Sequence, residues 1–112
     1  MSALNDQHCR PCEGGMSPLT RAAAEQQLQQ LAAGWQLSED GRNLRREYQF
    51  VDFYRTMSFL NALAHIANIE DHHPDLELGY NYLRVRYTTH AIGGLSDNDF
   101  ICAAKLDTLA AK

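Results

Sequence analysis

Between Asp52 and Pro74 lies the longest stretch of helical period in the chain, and a run of period two flanks it on each side. Phe53, Met57, Leu60, Ala64 and Ala67 recur at steps of four and three, and Phe59, Leu63 and Ile66 widen the apolar face. This spacing predicts an amphipathic helix of about five turns. Asp52 suits its N-cap. Its end is expected near His72, because Pro74 holds His73 out of the helical region. Such a helix must bury its stripe against another layer, and the flanking runs supply one.

Upstream, Trp35 to Ser38 alternates, Asp40-Gly41 is a hairpin turn signal, and Leu44, Arg46, Tyr48 and Phe50 alternate with Arg45, Glu47 and Gln49. Downstream, strands are expected over Leu76 to Tyr80 and Leu83 to Thr89, turning at Asn81. Thr20 can cap a first helix carrying Ala24, Leu28, Leu31 and Ala32, with Gly34 just past its end. Ser96 can cap a last helix carrying Phe100, Ala103, Leu106 and Ala110. The order is α-β-β-α-β-β-α. Hairpins dominate, so the expected fold is α+β: a two-layer sandwich of a four-stranded, mainly antiparallel sheet with three helices on one face. Residues 1–18 read as an irregular lead-in and 19–112 as a single domain. No internal repeat is visible.

A chain of 112 residues has room for one core. Its 10 Lys and Arg against 14 Asp and Glu leave a net charge of −4. That balance argues against nucleic acid and against an anionic membrane surface as partners. No apolar run approaches the ~20 residues of a membrane span, and the first twenty residues hold no apolar secretory segment. The three cysteines, Cys9, Cys12 and Cys102, are odd in number, which suits reduced thiols in a cytoplasm. Cys9 and Cys12 have CxxC spacing beside His8. Without a second ligand pair the simplest reading is a structurally neutral leader, a metal or redox role being the alternative. Cys102, expected on the buried side of the last helix, has no neighbouring base in sequence. No glycine-rich phosphate loop and no GxSxG elbow is present.

Histidine is the residue type that stands out. Four of the five lie between positions 65 and 90. His65 is mid-helix and most simply a surface residue. His72-His73-Pro74 falls where a helix stops and a strand has not begun, a corner that proline stiffens. A hairpin turn centred on Asn81 pairs position 72 with position 90, and should bring His72, His73 and His90 within ~7 Å of one another. Alternation puts Leu83, Val85, Tyr87 and Thr89 on the core face, and Arg84, Arg86, Thr88 and His90 on the open one. Asp99, three residues after Ser96, fits a capping box, and it can equally orient a nearby imidazole. Three histidines and a carboxylate suit either metal ligation or metal-free acid–base catalysis, and spacing alone does not separate the two.

These residues resemble the pterin-4a-carbinolamine dehydratase family. The resemblance runs through His72-His73-Pro74, the aromatic Tyr80, Thr89-His90 and the Gly94-Leu95-Ser96 that precedes Asp99. Gly34-Trp35 and Cys12-Glu13-Gly14-Gly15 also match, and in all it covers about residues 12 to 109. It implies an enzyme that removes water from a 4a-hydroxytetrahydropterin to give the quinonoid dihydropterin, recycling the pterin of aromatic amino-acid hydroxylases, with no metal and no organic cofactor. It implies His72 and His90 as the acid–base pair and His73 as the residue that orients the ring. Pro74 would shape the pocket wall, Thr89, His90, Ala91 and Ile92 would contact the ring, and Asp99 would support an imidazole or the substrate. Trp35 is a family position whose size also suits the core. Asn68 departs from the family pattern, which carries an acidic residue, Lys or His four places before the first histidine.

The resemblance also implies a homodimer or homotetramer and a hydroxylase as a pathway partner. Animal members act as dimerisation partners of a transcription factor, so a regulatory binding module is the alternative. A small metalloprotein built on His72, His73 and His90 is a third reading.

Overall fold

The computed structural model describes residues 3–11 and 16–111, and Cys12, Glu13, Gly14 and Gly15 lie outside the described residues. Helix α1 spans Arg21–Leu28, strand β1 Gln36–Leu37, β2 Leu44–Gln49, helix α2 Phe53–Glu70, β3 Asp75–Leu78, β4 Tyr82–Tyr87 and helix α3 Asp97–Ala110. The sheet is antiparallel throughout, in the order β1-β2-β4-β3. This is the α+β arrangement that the alternation of periods predicts.

Local chemistry explains the elements. The Thr20 hydroxyl accepts the Ala23 N–H at 3.2 Å, and the Asp52 carboxylate accepts the Arg55 N–H at 2.9 Å, so both expected caps form. Gly41, at φ 71°, takes the left-handed position in the β1–β2 turn. Leu83, Val85 and Tyr87 of β4 are buried with Leu44 and Tyr48 of β2, and α2 and α3 cover that face with Phe59, Leu63, Phe100, Ala103 and Leu106. The outer face carries cross-strand ion pairs: Arg84 bonds Glu47 at 2.6 Å and Glu77 at 2.7 Å, and Arg86 bonds Asp75 at 2.7 Å. Trp35 is core, its indole N–H donating to Asp107 at 2.7 Å, where Arg46 also binds.

Several expectations need correction. Helix α1 stops at Leu28, before Leu31 and Ala32; tighter turns at Gln30 and Leu31 follow, so Gly34 marks a later loop. The buried face of α2 is Thr56, Phe59, Leu63, Ala67 and Glu70, while Phe53 and Ala64 point outward. The stripe read from sequence is rotated because α2 packs against α3 as well as the sheet. The β3–β4 turn is centred between Tyr80 and Asn81, giving Leu78↔Leu83 and Leu76↔Val85. Continued back, that register sets His72 opposite Thr89, not His90.

The lead-in is docked, not neutral. Residues 4–6 form a 3-10 turn with Leu4 buried, and the segment runs along α3. Lys105 donates to the Asn5 carbonyl at 3.0 Å, and Cys9 lies 3.4 Å from Cys102, sulfur to sulfur. No helix among the described residues is long and apolar enough to cross a membrane.

Candidate functional site

Three chain ends meet at one corner: the C-terminus of α2, the end of β4 and the N-terminus of α3. Helix α2 closes on Asp71 in the left-handed conformation at φ 49°, with the His72 N–H returning to the Ala67 carbonyl at 3.1 Å. This closure turns the chain toward β3 and sets His72 over the end of the sheet. Its ring stacks on Tyr87 at 5.9 Å and 8°. After β4, Thr89 pairs with Gly94 and the chain makes a 3-10 turn over His90–Ile92, ended by Gly93 at φ 68°. His90 and Ala91 are thereby lifted to the surface.

Asp99 ties these pieces together. It is 0% exposed. One oxygen meets His72 Nε2 at 2.6 Å, while the other accepts the Thr89 hydroxyl at 2.8 Å and the Ser96 N–H at 2.9 Å. The capping role and the imidazole-orienting role thus fall on the same carboxylate. A ring that donates Nε2–H to a carboxylate keeps its Nδ1 lone pair for other work. The His72 side chain is 12% exposed, enough to reach a ligand while held on a stiff frame.

A cleft of about 510 Å³ opens at this corner, a size suited to a small heterocycle. His72, His73, Thr89, His90 and Ala91 line it. Pro74, Ile92 and Asp99 do not: Asp99 sits beneath His72, and Pro74 and Ile92 flank the lining segments. His73 Nε2 lies 3.3 Å from the Asn68 side-chain oxygen, so the residue at the family's usually charged place touches the second histidine of the pair. Trp35 and His65 are not among the lining residues. No three His, Cys, Asp or Glu side chains among the described residues gather as metal ligands would.

Sequence reasoning missed part of the lining. Cys9, Arg10 and Pro11 come from the lead-in, Thr88 from beyond β4, Ile69, Glu70 and Asp71 from the end of α2, and Asn98 from the start of α3. Glu70 left a signal: a carboxylate continuing the buried stripe of Leu63 and Ala67. Its carboxyl is held below its ordinary value. Burial pushes it up, and the Cys9 N–H, His8 and Lys105 together outweigh that. Nothing in the local pattern of Cys9-Arg10-Pro11 announced a place beside the histidines.

A family model described as pterin 4 alpha carbinolamine dehydratase matches residues 17–109. A protein of Nitrosomonas eutropha provisionally named pterin-4-alpha-carbinolamine dehydratase is 56% identical over 106 residues, covering 95% of this chain and 92% of its own. A similarly named protein of Legionella pneumophila strain Corby is 53% identical over 108 residues, 96% of each chain. Among solved structures, a transcriptional coactivator/pterin dehydratase from Brucella melitensis superposes with a TM-score of 0.79 at 30% identity, over 84% of this chain and 99% of that one. A pterin dehydratase-like RuBisCO assembly factor of the alpha-carboxysome shares the fold at a TM-score of 0.61 and 22% identity, over 70% of this chain and 92% of that one.

Proposed function

The chain belongs to the pterin 4 alpha carbinolamine dehydratase family, and from that membership we propose how its cleft performs the reaction. The activity is that of a hydro-lyase acting on a 4a-hydroxytetrahydropterin. The C4a–O bond breaks, the N5 proton leaves, a C4a=N5 double bond forms and water departs. Hydroxide is a poor leaving group, so the oxygen needs a proton as the bond breaks, and N5 needs a base. Two positioned imidazoles meet both needs, and help of this kind is worth ~10² to 10⁴-fold.

In this reading His72 is the base. Asp99 takes its Nε2–H at 2.6 Å, which leaves Nδ1 to accept the proton. His90, exposed on its 3-10 turn, is the acid, and His73 orients the ring. Thr89 and Ala91 line the contact surface, while Pro74 and Ile92 hold its two edges. The convergence of His72, His73 and His90 on a single cleft above the buried Asp99 is the observation that supports this assignment. Steady-state dehydration of chemically prepared hydroxytetrahydropterin tests it. His72→Ala and His90→Ala are each expected to cut turnover at least about tenfold, with His65→Ala unaffected. Equal losses in all three would sink the assignment.

The product would return to the cycle of an aromatic amino-acid hydroxylase, in a cytoplasm where Cys9 and Cys102 stay as free thiols. Residues 19–112 would form the catalytic domain, with 1–18 as its lead-in. The coactivator half of the Brucella protein's name favours a second reading, a dimerisation module. Exposed Val51, Tyr54, Phe53 and Tyr80 give it a surface, and homo-oligomerisation suits both readings. Sedimentation of the purified chain decides whether copies associate.

A further inference from the structure

We propose that the lead-in segment Cys9–Pro11 forms a second wall of the substrate cleft, and that Glu70 and Asn98 are the positioning residues that fasten it there. The proposal rests on the dehydratase reading and names a part of the site that neither the family motif nor the histidine cluster contains.

Two anchors hold the segment. Glu70, the last residue of α2, has a side chain only 3% exposed. Its oxygens accept the Cys9 N–H at 2.7 Å and meet His8 Nδ1 at 2.8 Å, with the Lys105 ammonium 3.9 Å away. A carboxylate is withdrawn from water only at a cost, and here its bonds run chiefly to the lead-in. The end of α2 is already closed by backbone bonds through Asp71 and His72, so Glu70 is not needed as a cap. Asn98, in the first turn of α3, grips Arg10 from both sides. Its side-chain oxygen accepts the Arg10 N–H at 3.0 Å and its amide donates to the Arg10 carbonyl at 2.6 Å. This two-bond clamp fixes the main chain much as a neighbouring strand would.

The anchors stand next to the reacting groups. Glu70 is two residues before His72, and Asn98 is one residue before Asp99. Both line the cleft, together with Cys9 and Arg10, which they hold, and Pro11, which follows them. Releasing the segment would open one side of a 510 Å³ cleft without touching any histidine. The expected effect falls on substrate binding, because a wall contributes to the ground state and the transition state alike.

The test compares Glu70→Ala, Asn98→Ala and Pro11→Gly in the full-length chain. Hydrogen exchange reports whether the Cys9 and Arg10 amides lose protection, and steady-state dehydration separates KM from kcat. Release of the segment should raise KM about five- to tenfold with kcat within about twofold. Pro11→Gly should raise KM with the anchors intact, so the proposal survives a failure of either anchor variant to fold. An unchanged KM in a variant whose segment is released overturns the proposal, as does a fall in kcat at constant KM. Wild-type protein that fails to dehydrate the hydroxypterin overturns the activity reading alone. The wall is then judged by fluorescence titration with an unreactive 7,8-dihydropterin, and equal affinity for wild type and released variants rejects it.

Discussion

A carboxylate shut off from solvent must find its hydrogen bonds inside the protein, and Asp99 finds three, from His72, Thr89 and the Ser96 backbone. Asp99→Ala strips all of them at once. It should cost about 3 kcal/mol of stability, read from the urea midpoint, and lower turnover in whatever remains folded. A folded variant with full turnover would remove Asp99 from the mechanism. Tyr87 presents the opposite case. Its hydroxyl is buried without a partner among the described residues, and burial pushes its phenol far above the ordinary range. Tyr87→Phe keeps the ring under His72 and removes the unpaired group. It should therefore be neutral or stabilising by up to about 1 kcal/mol; a marked loss of stability would show that the hydroxyl has a use. Histidine and aspartate at this corner were legible as residues of interest. That both cap and imidazole would share one carboxylate was not, because a capping box looks the same whether or not a third donor comes from elsewhere in the chain.

Elements place these residues through a few backbone decisions. The loop after β4 returns within six residues, and Gly94 lets it do so: a Cβ there would lie 2.7 Å from the Pro18 ring. Gly94→Ala must displace the segment that leads into α1, which also bonds Leu19 N–H to the Leu95 carbonyl at 2.8 Å. A destabilisation of about 1–3 kcal/mol is expected, with loosening of Thr89 seen as faster exchange of its amide. Full stability would mean that Pro18 yields freely. Hairpins, caps and the five-turn helix could be read from period and punctuation, since those signals are local. The register of β3 on β4 could not. Moving the turn centre from Asn81 to the point between Tyr80 and Asn81 shifts every pair by one, and Gly79, closing on the Tyr82 carbonyl at 3.0 Å, settled that choice. The histidines still converge, because the 3-10 turn carries His90 back toward the cleft by a route that strand arithmetic does not describe.

The molecule as a whole carries an acid-sensitive seam where lead-in, α2 and α3 meet at Glu70. Its carboxyl is lowered in the fold, so its contribution is complete above the ordinary value of 4.5 and is lost as pH falls through the lower folded value. Wild type should therefore exceed Glu70→Gln in stability near neutral pH, with the gap closing as pH falls below the ordinary value of 4.5 and through the lowered one. A gap constant with pH, measured by urea unfolding, would sever the seam from Glu70. Sequence alone determined the kind of protein this is: alternating periods of 3.6 and 2 leave few layered folds open, and side chains of one chemistry crowd a short interval. Those signals survive in one dimension because they depend on neighbours a few residues apart. Which atoms face the cleft was decided only by the fold. The docking of residues 3–11 along α3, the rotation of α2 and the burial of Glu70 and Asp99 all join positions sixty or more residues apart, or depend on the packing of two layers. No local pattern encodes such contacts, since each partner reads as an ordinary leader, helix end or cap until the layers close on one another.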